Sequence, residues 1–92
     1  MDYRKAIGID IGFDYSCVGI FWNGKVEIAT NEVGYRITPS FVTFKENEIL
    51  IGISSYNIRN RYPENTIYGI TKLIGGEYND YGVQEFIKNV PY

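Results

Sequence analysis

The chain has 92 residues, of which 45% are hydrophobic and 16% aromatic, so it supports one small domain and not two. Nine Lys and Arg against eleven Asp and Glu give a net charge of −2, which predicts no binding to nucleic acid or an anionic membrane. The absence of histidine excludes Ser-His-Asp and Cys-His catalysis, and one cysteine excludes an internal disulfide and a cysteine-rich zinc site. No apolar run approaches the roughly 20 residues of a spanning helix and no signal-peptide pattern is visible, so we expect a cytoplasmic protein.

Strand patterns dominate the first third of the chain. Residues 6–11 form a short apolar run, and residues 15–22 form a second run rich in aromatic and branched side chains. Residues 25–30 alternate between apolar and polar side chains, as a strand does. The dipeptide Asn23-Gly24 favours a type I′ turn, because both of its positions need positive φ. We therefore predict a hairpin of 15–22 and 25–30.

The middle of the chain predicts a connection followed by a second pair of strands. Residues 31–40 contain a glycine and a proline and indicate a connecting segment. Residues 41–44 and 49–51 are apolar runs separated by a polar turn, which is typical of two neighbouring strands. Residues 53–60 are a weak helix candidate.

Helical spacing is expected toward the end of the chain. From Thr66 to Gly75 the isoleucines recur at one helical face, which predicts a helix over 66–74. A last helix is predicted over 80–89, with Asp80 as its capping residue. Strands thus precede helices, and the pattern predicts an α+β fold with a mainly antiparallel sheet.

One loop between predicted strands carries a pattern that suits phosphate chemistry. It reads Asp-Ile-Gly-Phe-Asp from Asp10 to Asp14. A glycine turn between strands exposes backbone N–H groups that cradle a phosphate, and a carboxylate at the strand end holds the water shell of a magnesium ion. The same residues also suit an ordinary turn, in which Asp10 ends the strand and Gly12 provides the bend. The loop alone leaves both interpretations open.

The residues around this loop resemble the N-terminus of the 70-kDa heat-shock chaperones. The resemblance follows the family order over essentially the whole chain. It is carried by seven stretches: Ala-Ile-Gly-Ile-Asp-Ile-Gly at 6–12, Tyr-Ser-Cys-Val-Gly-Ile-Phe at 15–21, Gly-Lys-Val-Glu-Ile at 24–28, Thr-Pro-Ser-Phe-Val-Thr-Phe at 38–44, Leu-Ile-Gly at 50–52, Asn-Thr-Ile-Tyr at 65–68 and Lys-Leu-Ile-Gly at 72–75.

The resemblance implies part of an actin-like, ribonuclease H-like ATPase domain. Residues 1–39 would form the first part of the lobe that carries the phosphate loop, and residues 40–92 part of the smaller subdomain of that lobe. The family's ATPase domain is several times longer, so we expect a truncated, divergent relative of a chaperone that folds proteins with ATP. Residues 41–44 and 49–51 would then leave an unpaired sheet edge, which favours self-association.

The family's site residues transfer to one loop, with ATP or ADP and Mg²⁺ as the implied cofactors. Asp10 would hold magnesium through water. The implied cofactor-binding positions are Asp10, Gly12, Phe13, Asp14 and Tyr15. Phe13 and Asp14 replace two family threonines, so a hydroxyl is lost and a carboxylate stands where the family has a neutral donor. An ionised carboxylate cannot donate a hydrogen bond to phosphate.

The family's catalytic lysine has no match in the chain. Thr71 occupies its position, and Lys72 falls where the family has arginine. Adjacent helical positions point about 100° apart, so Lys72 does not readily replace that lysine. We therefore expect no ATP hydrolysis by this chain alone and assign no catalytic residue. Two alternatives remain open. One is a binding module for J-domain co-chaperones, exchange factors or other chaperone chains, and the other is a chain with no function beyond folding.

Overall fold

The computed structural model describes residues 5–92, and no helix in that range is long and apolar enough to cross a membrane. All strand pairs in the described chain are antiparallel, and helices are few, so the predicted α+β class is confirmed. In chain order the elements are β1 (Ala6–Ile11), β2 (Tyr15–Trp22), β3 (Lys25–Ile28), β4 (Thr38–Pro39), β5 (Phe41–Phe44), β6 (Ile49–Ile51), α1 (Ile53–Ile58), a 3₁₀ helix (Pro63–Asn65), β7 (Thr66–Tyr68), a second 3₁₀ helix (Ile70–Lys72) and α2 (Tyr81–Ile87).

The first sheet is built on the predicted hairpin. Its strands have the order β1-β2-β3, and β4 also pairs with β2. Asn23 and Gly24 have φ values of 53° and 72°, as a type I′ turn requires, so the predicted hairpin is confirmed. Strand β3 ends two residues before the predicted boundary, although the Ala29 N–H still donates to the Val18 carbonyl at 2.8 Å.

The segment between the two sheets is more ordered than a plain connection. Asn31 holds it together, because its Oδ1 accepts the N–H groups of Val33 and Tyr35 at 3.1 and 2.9 Å. The Asn31 Nδ2 donates to the Thr38 hydroxyl at 3.0 Å. Strand β4 follows this turn and pairs with the start of β2. The sequence pattern predicted no strand here, because two residues are too few to show alternation.

The second sheet has β5 at its centre, with the order β6-β5-β7. Residue Thr43 pairs with Leu50 on one side and with Thr66 on the other. The prediction that residues 41–44 leave an unpaired edge is therefore wrong, because β7 pairs with them. Strand β6, over residues 49–51, is an outer strand in the described part of the chain.

Three buried hydroxyl side chains connect this sheet to α1. Thr43, Ser55 and Thr66, here called the hydroxyl cluster, are at most 1% exposed. The Thr43 Oγ1 lies 2.6 Å from the Ser55 Oγ and 2.8 Å from the Thr66 Oγ1, and the Thr66 hydroxyl donates to the Tyr62 carbonyl at 2.8 Å. Each hydroxyl has one proton, so Thr43 donates to Thr66 and Ser55 donates to Thr43. The cluster is fully satisfied, as buried polar groups must be.

The helix predicted over 66–74 is wrong. Residues 66–68 form β7, whose pairing with β5 places Thr66 in the hydroxyl cluster. Gly69 follows with φ of 66°, a left-handed conformation that ends the strand and precedes the short 3₁₀ helix. Tertiary pairing and the glycine thus override the helical spacing of the isoleucines.

The last predicted helix is present as α2, within the predicted range 80–89. Asp80 occupies the N-cap position, but its side chain makes no capping hydrogen bond. Its Oδ2 instead accepts the Glu77 N–H at 2.9 Å. The predicted position of Asp80 is therefore right and its predicted contact is wrong, because the preceding turn takes the carboxylate.

Candidate phosphate loop

The loop between β1 and β2 is a tight turn closed by one backbone hydrogen bond. The Gly12 N–H donates to the Tyr15 carbonyl at 3.0 Å, directly beyond the last paired residues of the two strands. A Cβ atom on Gly12 would lie 2.5 Å from the Tyr15 carbonyl oxygen, which no side chain tolerates. Only glycine therefore fits at position 12, and residues 13 and 14 form the tip of the loop.

The far side of the loop is tied to the segment that leads into the second sheet. The Ser40 N–H donates to the Asp14 carbonyl at 2.8 Å. The hydroxyls of Ser16 and Ser40 lie 2.8 Å apart, within hydrogen-bonding distance. The loop backbone is thus fixed both by its own turn and by Ser40.

Two loop N–H groups remain available to a ligand. Within residues 5–92, the backbone N–H groups of Phe13 and Asp14 donate to no protein acceptor, whereas the Gly12 N–H is used by the turn. Successive unpaired N–H groups in a turn form a concave donor site for anions. The tip of the loop therefore has two successive backbone donors without a protein acceptor, as an anion site of this kind requires.

The Phe13 ring extends to the C-terminal part of the chain. It packs edge-to-face against Phe86 of α2, with ring centroids 6.3 Å apart and an interplanar angle of 83°. Gly69 lies beneath both rings, since a Cβ there would lie 2.7 Å from Phe13 Cε2 and 2.9 Å from Phe86 Cζ. We call Phe13, Gly69 and Phe86 the aromatic niche. It secures the loop against a region far away in sequence.

Sequence reasoning missed Gly69 and Phe86 as neighbours of the loop. The apolar spacing places Phe86 on one face of the last helix, but helical spacing does not identify what that face contacts. The interruption of the apolar pattern by Gly69 was a usable signal, because glycine often marks a close approach of other groups.

The remaining loop residues are exposed. Asp10 lies in β1 opposite Cys17, and Tyr15 begins β2. The part of the chain that the structure describes has no group of three or more His, Cys, Asp or Glu side chains that could hold a metal. A lone Asp10 carboxylate suits magnesium bound through its water shell better than a fully coordinated ion.

The structure brings the segment of Thr71 toward the loop through the aromatic niche. Thr71 is exposed in the second 3₁₀ helix, two residues after Gly69. Neighbouring residues of a 3₁₀ helix point about 120° apart, so Lys72 does not share the direction of Thr71. The side chain at position 71 is neutral and supplies no positive charge to a phosphate.

Comparison with known proteins identifies the family of this chain. The family model for Hsp70 protein matches residues 6–92. The chain is 48% identical over 92 residues to Heat shock 70 kDa protein cognate 1 of Drosophila simulans. That alignment covers 100% of this chain and 43% of the relative, so the chain spans less than half of that protein's length. The family match runs from β1 to residue 92 and includes both antiparallel sheets. This protein therefore belongs to the Hsp70 family.

Proposed function

We propose that this chain is a chaperone nucleotide-binding unit that contacts the phosphates of Mg-ADP or Mg-ATP through residues 10–15 and does not hydrolyse ATP alone. The observation that carries this proposal is the loop geometry. Gly12 closes the turn, and the N–H groups of Phe13 and Asp14 are left without a protein acceptor in the described chain. Membership of the Hsp70 family supports nucleotide as the ligand, and we propose a cytoplasmic setting on the same ground.

Each loop residue has a distinct task in this proposal. The N–H groups of Phe13 and Asp14 donate to phosphate oxygens, Asp10 accepts from water around Mg²⁺, and Tyr15 borders the nucleotide. Magnesium supplies positive charge that offsets the negative charge of the phosphates. The Asp14 carboxylate opposes binding, because two like charges 4 Å apart repel by about 4 kcal/mol at an effective dielectric constant of 20. We therefore expect weak nucleotide binding.

ATP hydrolysis needs more positive charge than this site provides. Phosphoryl transfer depends on positioning and on cations that stabilise the charge of the transferring group. Thr71 provides no cation, and Lys72 points about 120° away on its 3₁₀ helix. Asp14 adds a negative charge beside the phosphates. Both departures disfavour the transition state, so no residue of this chain is proposed as catalytic.

We also propose that residues 1–39 belong to the lobe that carries the phosphate loop and residues 40–92 to its smaller subdomain. The separate sheets support this division, since β1 to β4 form one and β5 to β7 the other. Ser40 stands between them and bonds to the loop. The loop is then positioned from both sides by the two units.

Calorimetric titration with Mg-ADP and Mg-ATP tests the nucleotide proposal. We expect weak binding that Asp10→Ala abolishes, and tighter binding by the triple variant Phe13→Thr/Asp14→Thr/Thr71→Lys. Asp14→Asn isolates the charge effect, and Glu46→Gln in the exposed β5–β6 turn is its matched control, since it removes the same charge elsewhere. Absence of binding by both the wild-type chain and the triple variant would refute the proposal. Magnesium-dependent ATP turnover that Asp10→Ala abolishes would refute the proposed inactivity.

A binding module is the second candidate function. Three isoleucines of β1 are 61–67% exposed, which is unusual for large apolar side chains in one strand. We propose that this surface, or another, contacts J-domain co-chaperones, exchange factors, other chaperone chains or a second copy of this protein. Binding measured against purified J-domain and exchange-factor proteins without nucleotide tests the hetero-partners. If the chain binds none of these proteins, a second copy of the chain remains as the partner in this proposal.

A further inference from the structure

The turn of the β2–β3 hairpin places an asparagine directly before a glycine. Asn23 and Gly24 are both exposed, and they connect Trp22 and Lys25, the pair that ends the ladder. Among the asparagines of the chain, Asn23 is the one that a glycine follows. This order favours attack of the next backbone nitrogen on the asparagine carboxamide, because glycine has no Cβ to block the approach.

The backbone nitrogen of Gly24 is accessible. Within residues 5–92 its N–H donates to no backbone acceptor. A Cβ atom added to Gly24 would have no atom within 4 Å, so no neighbouring side chain shields the nitrogen. Asn23 is exposed beside it at the tip of the hairpin. The backbone conformation of the turn therefore decides whether the Gly24 nitrogen can reach the Asn23 carboxamide.

The closed turn keeps these two groups apart. Asn23 has a φ of 53°, and a type I′ turn gives this residue a ψ of about 30°. With these angles the Gly24 nitrogen and the Asn23 Cβ lie on nearly opposite sides of the Cα–C bond. A five-membered ring needs the same two atoms nearly eclipsed. Ring closure therefore requires a rotation of ψ that opens the turn and separates Trp22 from Lys25.

We propose that Asn23 is a deamidation site that reacts when this end of the hairpin opens. The Gly24 nitrogen forms a bond to the Asn23 Cγ, the Cγ–Nδ2 bond breaks, and the Gly24 amide proton leaves with Nδ2 as ammonia. Water then opens the succinimide at one of its two carbonyls, which gives aspartate or isoaspartate at position 23. Either product adds one negative charge to a chain of net charge −2. The reaction needs only water and does not depend on nucleotide binding.

The two products have different consequences for the hairpin. Aspartate leaves the main chain unchanged, and Asp-Gly also suits a type I′ turn. Isoaspartate inserts a methylene group into the main chain, so a two-residue turn no longer keeps Trp22 opposite Lys25. Strand β3 has four residues, all of them exposed, so little burial opposes its release from β2. Formation of isoaspartate thus acts as an irreversible switch that detaches β3.

Peptide mass spectrometry after incubation in mildly alkaline buffer tests the site and its dependence on opening. Asn23 should deamidate about tenfold or more slowly in the folded chain than in urea, because the closed turn prevents ring formation. Val26→Gly should speed the reaction about two- to fivefold in buffer but not in urea, since glycine weakens the strand. Asn47 is the internal control, because it is exposed in the β5–β6 turn but is followed by Glu48. Equal rates at Asn23 with and without urea, or equal rates at Asn23 and Asn47, would overturn the proposal.

Amide hydrogen exchange of the separated products tests the switch. Ion-exchange chromatography separates the deamidated chains, and the isoaspartyl form should exchange faster than the wild-type chain at residues 25–28. Asn23→Asp is the matched control, because it carries the same added charge on an unlengthened main chain, and its exchange should equal that of the wild-type chain. Unchanged exchange at residues 25–28 in the isoaspartyl form, or equally fast exchange in Asn23→Asp, would overturn the proposed switch.

Discussion

The two sheets of this protein differ in how they are stabilised. No residue from 5 to 39 is buried, although this region contains a four-stranded sheet. The second region contains the three buried hydroxyls of the hydroxyl cluster and the buried Val83. The first sheet therefore depends on its backbone hydrogen bonds and exposes its apolar side chains. The second has an interior, and that interior is largely polar.

This difference separates the tasks of the two regions. An exposed sheet offers surfaces and a loop to ligands and partners, but it has little burial with which to hold its shape. A buried, satisfied hydroxyl network fixes the geometry of its surroundings, because moving one member leaves the others unpaired. The second region can thus hold Ser40 and Gly69 in place, and through them the phosphate loop of the first.

Reciprocal substitutions should break this comparison most strongly. Thr43→Val keeps the side-chain shape but leaves the buried Ser55 hydroxyl without its acceptor, at a cost of about 1–3 kcal/mol of unfolding free energy. Val26→Thr makes the reverse change on the exposed face of β3 and should alter stability by less than about 0.5 kcal/mol. Urea unfolding of both variants measures the two effects. Equal losses would contradict the difference between the two sheets.

Gly69→Ala should have the next largest effect. Its φ of 66° costs a residue with a Cβ about 1–2 kcal/mol, and the new methyl group would also push against Phe13 and Phe86. Gly82→Ala in α2 is the control, since a Cβ added there would have no atom within 4 Å and the helix gains propensity. Thermal unfolding should show a loss for the first variant and a small gain for the second. Unchanged stability of Gly69→Ala would mean that the side chains of the aromatic niche are not closely packed.

The contact between the regions should appear as a coupling energy of moderate size. Edge-to-face aromatic pairs contribute about 0.5–1.5 kcal/mol beyond burial, so Phe13→Ala and Phe86→Ala should be non-additive by about 1 kcal/mol. Amide hydrogen exchange provides a second measurement, because Phe86→Ala should also speed exchange at residues 12–15. Additive losses of unfolding free energy, together with unchanged amide exchange at residues 12–15, would mean that α2 does not stabilise the loop.

Local sequence patterns predicted much of the fold. They failed where contacts with residues far away in sequence determine the local structure. The hairpin at Asn23-Gly24 and the strands at 41–44 and 49–51 were predicted because turn chemistry and alternation act over a few residues. The helix over 66–74 was wrong because pairing with β5 outweighs the spacing of isoleucines. In the site, Gly12 was predictable from the turn it must make. The packing of Phe13 on Phe86 was not, because helical periodicity does not name the partner of a face.

The smallest expected effect concerns the end of the second region at alkaline pH. Tyr92 packs edge-to-face on Tyr68, and its hydroxyl donates to the Tyr68 carbonyl. Burial raises the pKa of Tyr92 above its ordinary value of 10.0, the charge of Tyr68 raises it further, and the hydrogen bond to the backbone opposes them. Folding therefore favours the protonated hydroxyl. This contribution to stability is fully present below pH 10 and is lost as the pH rises through the higher pKa of the folded state.

Tyr92→Phe isolates this contribution. The variant should be slightly less stable than the wild-type chain at neutral pH, because it lacks the hydroxyl that donates to Tyr68. The difference should shrink above pH 10, where the wild-type hydroxyl loses its proton and the rest of the chain titrates alike in both proteins. Urea unfolding at several pH values from 8 to 12 measures it. A stability difference that stays constant through this range would mean that Tyr92 has the same pKa in the folded and the unfolded chain. The hydrogen bond from Tyr92 to the Tyr68 carbonyl would then not form in solution.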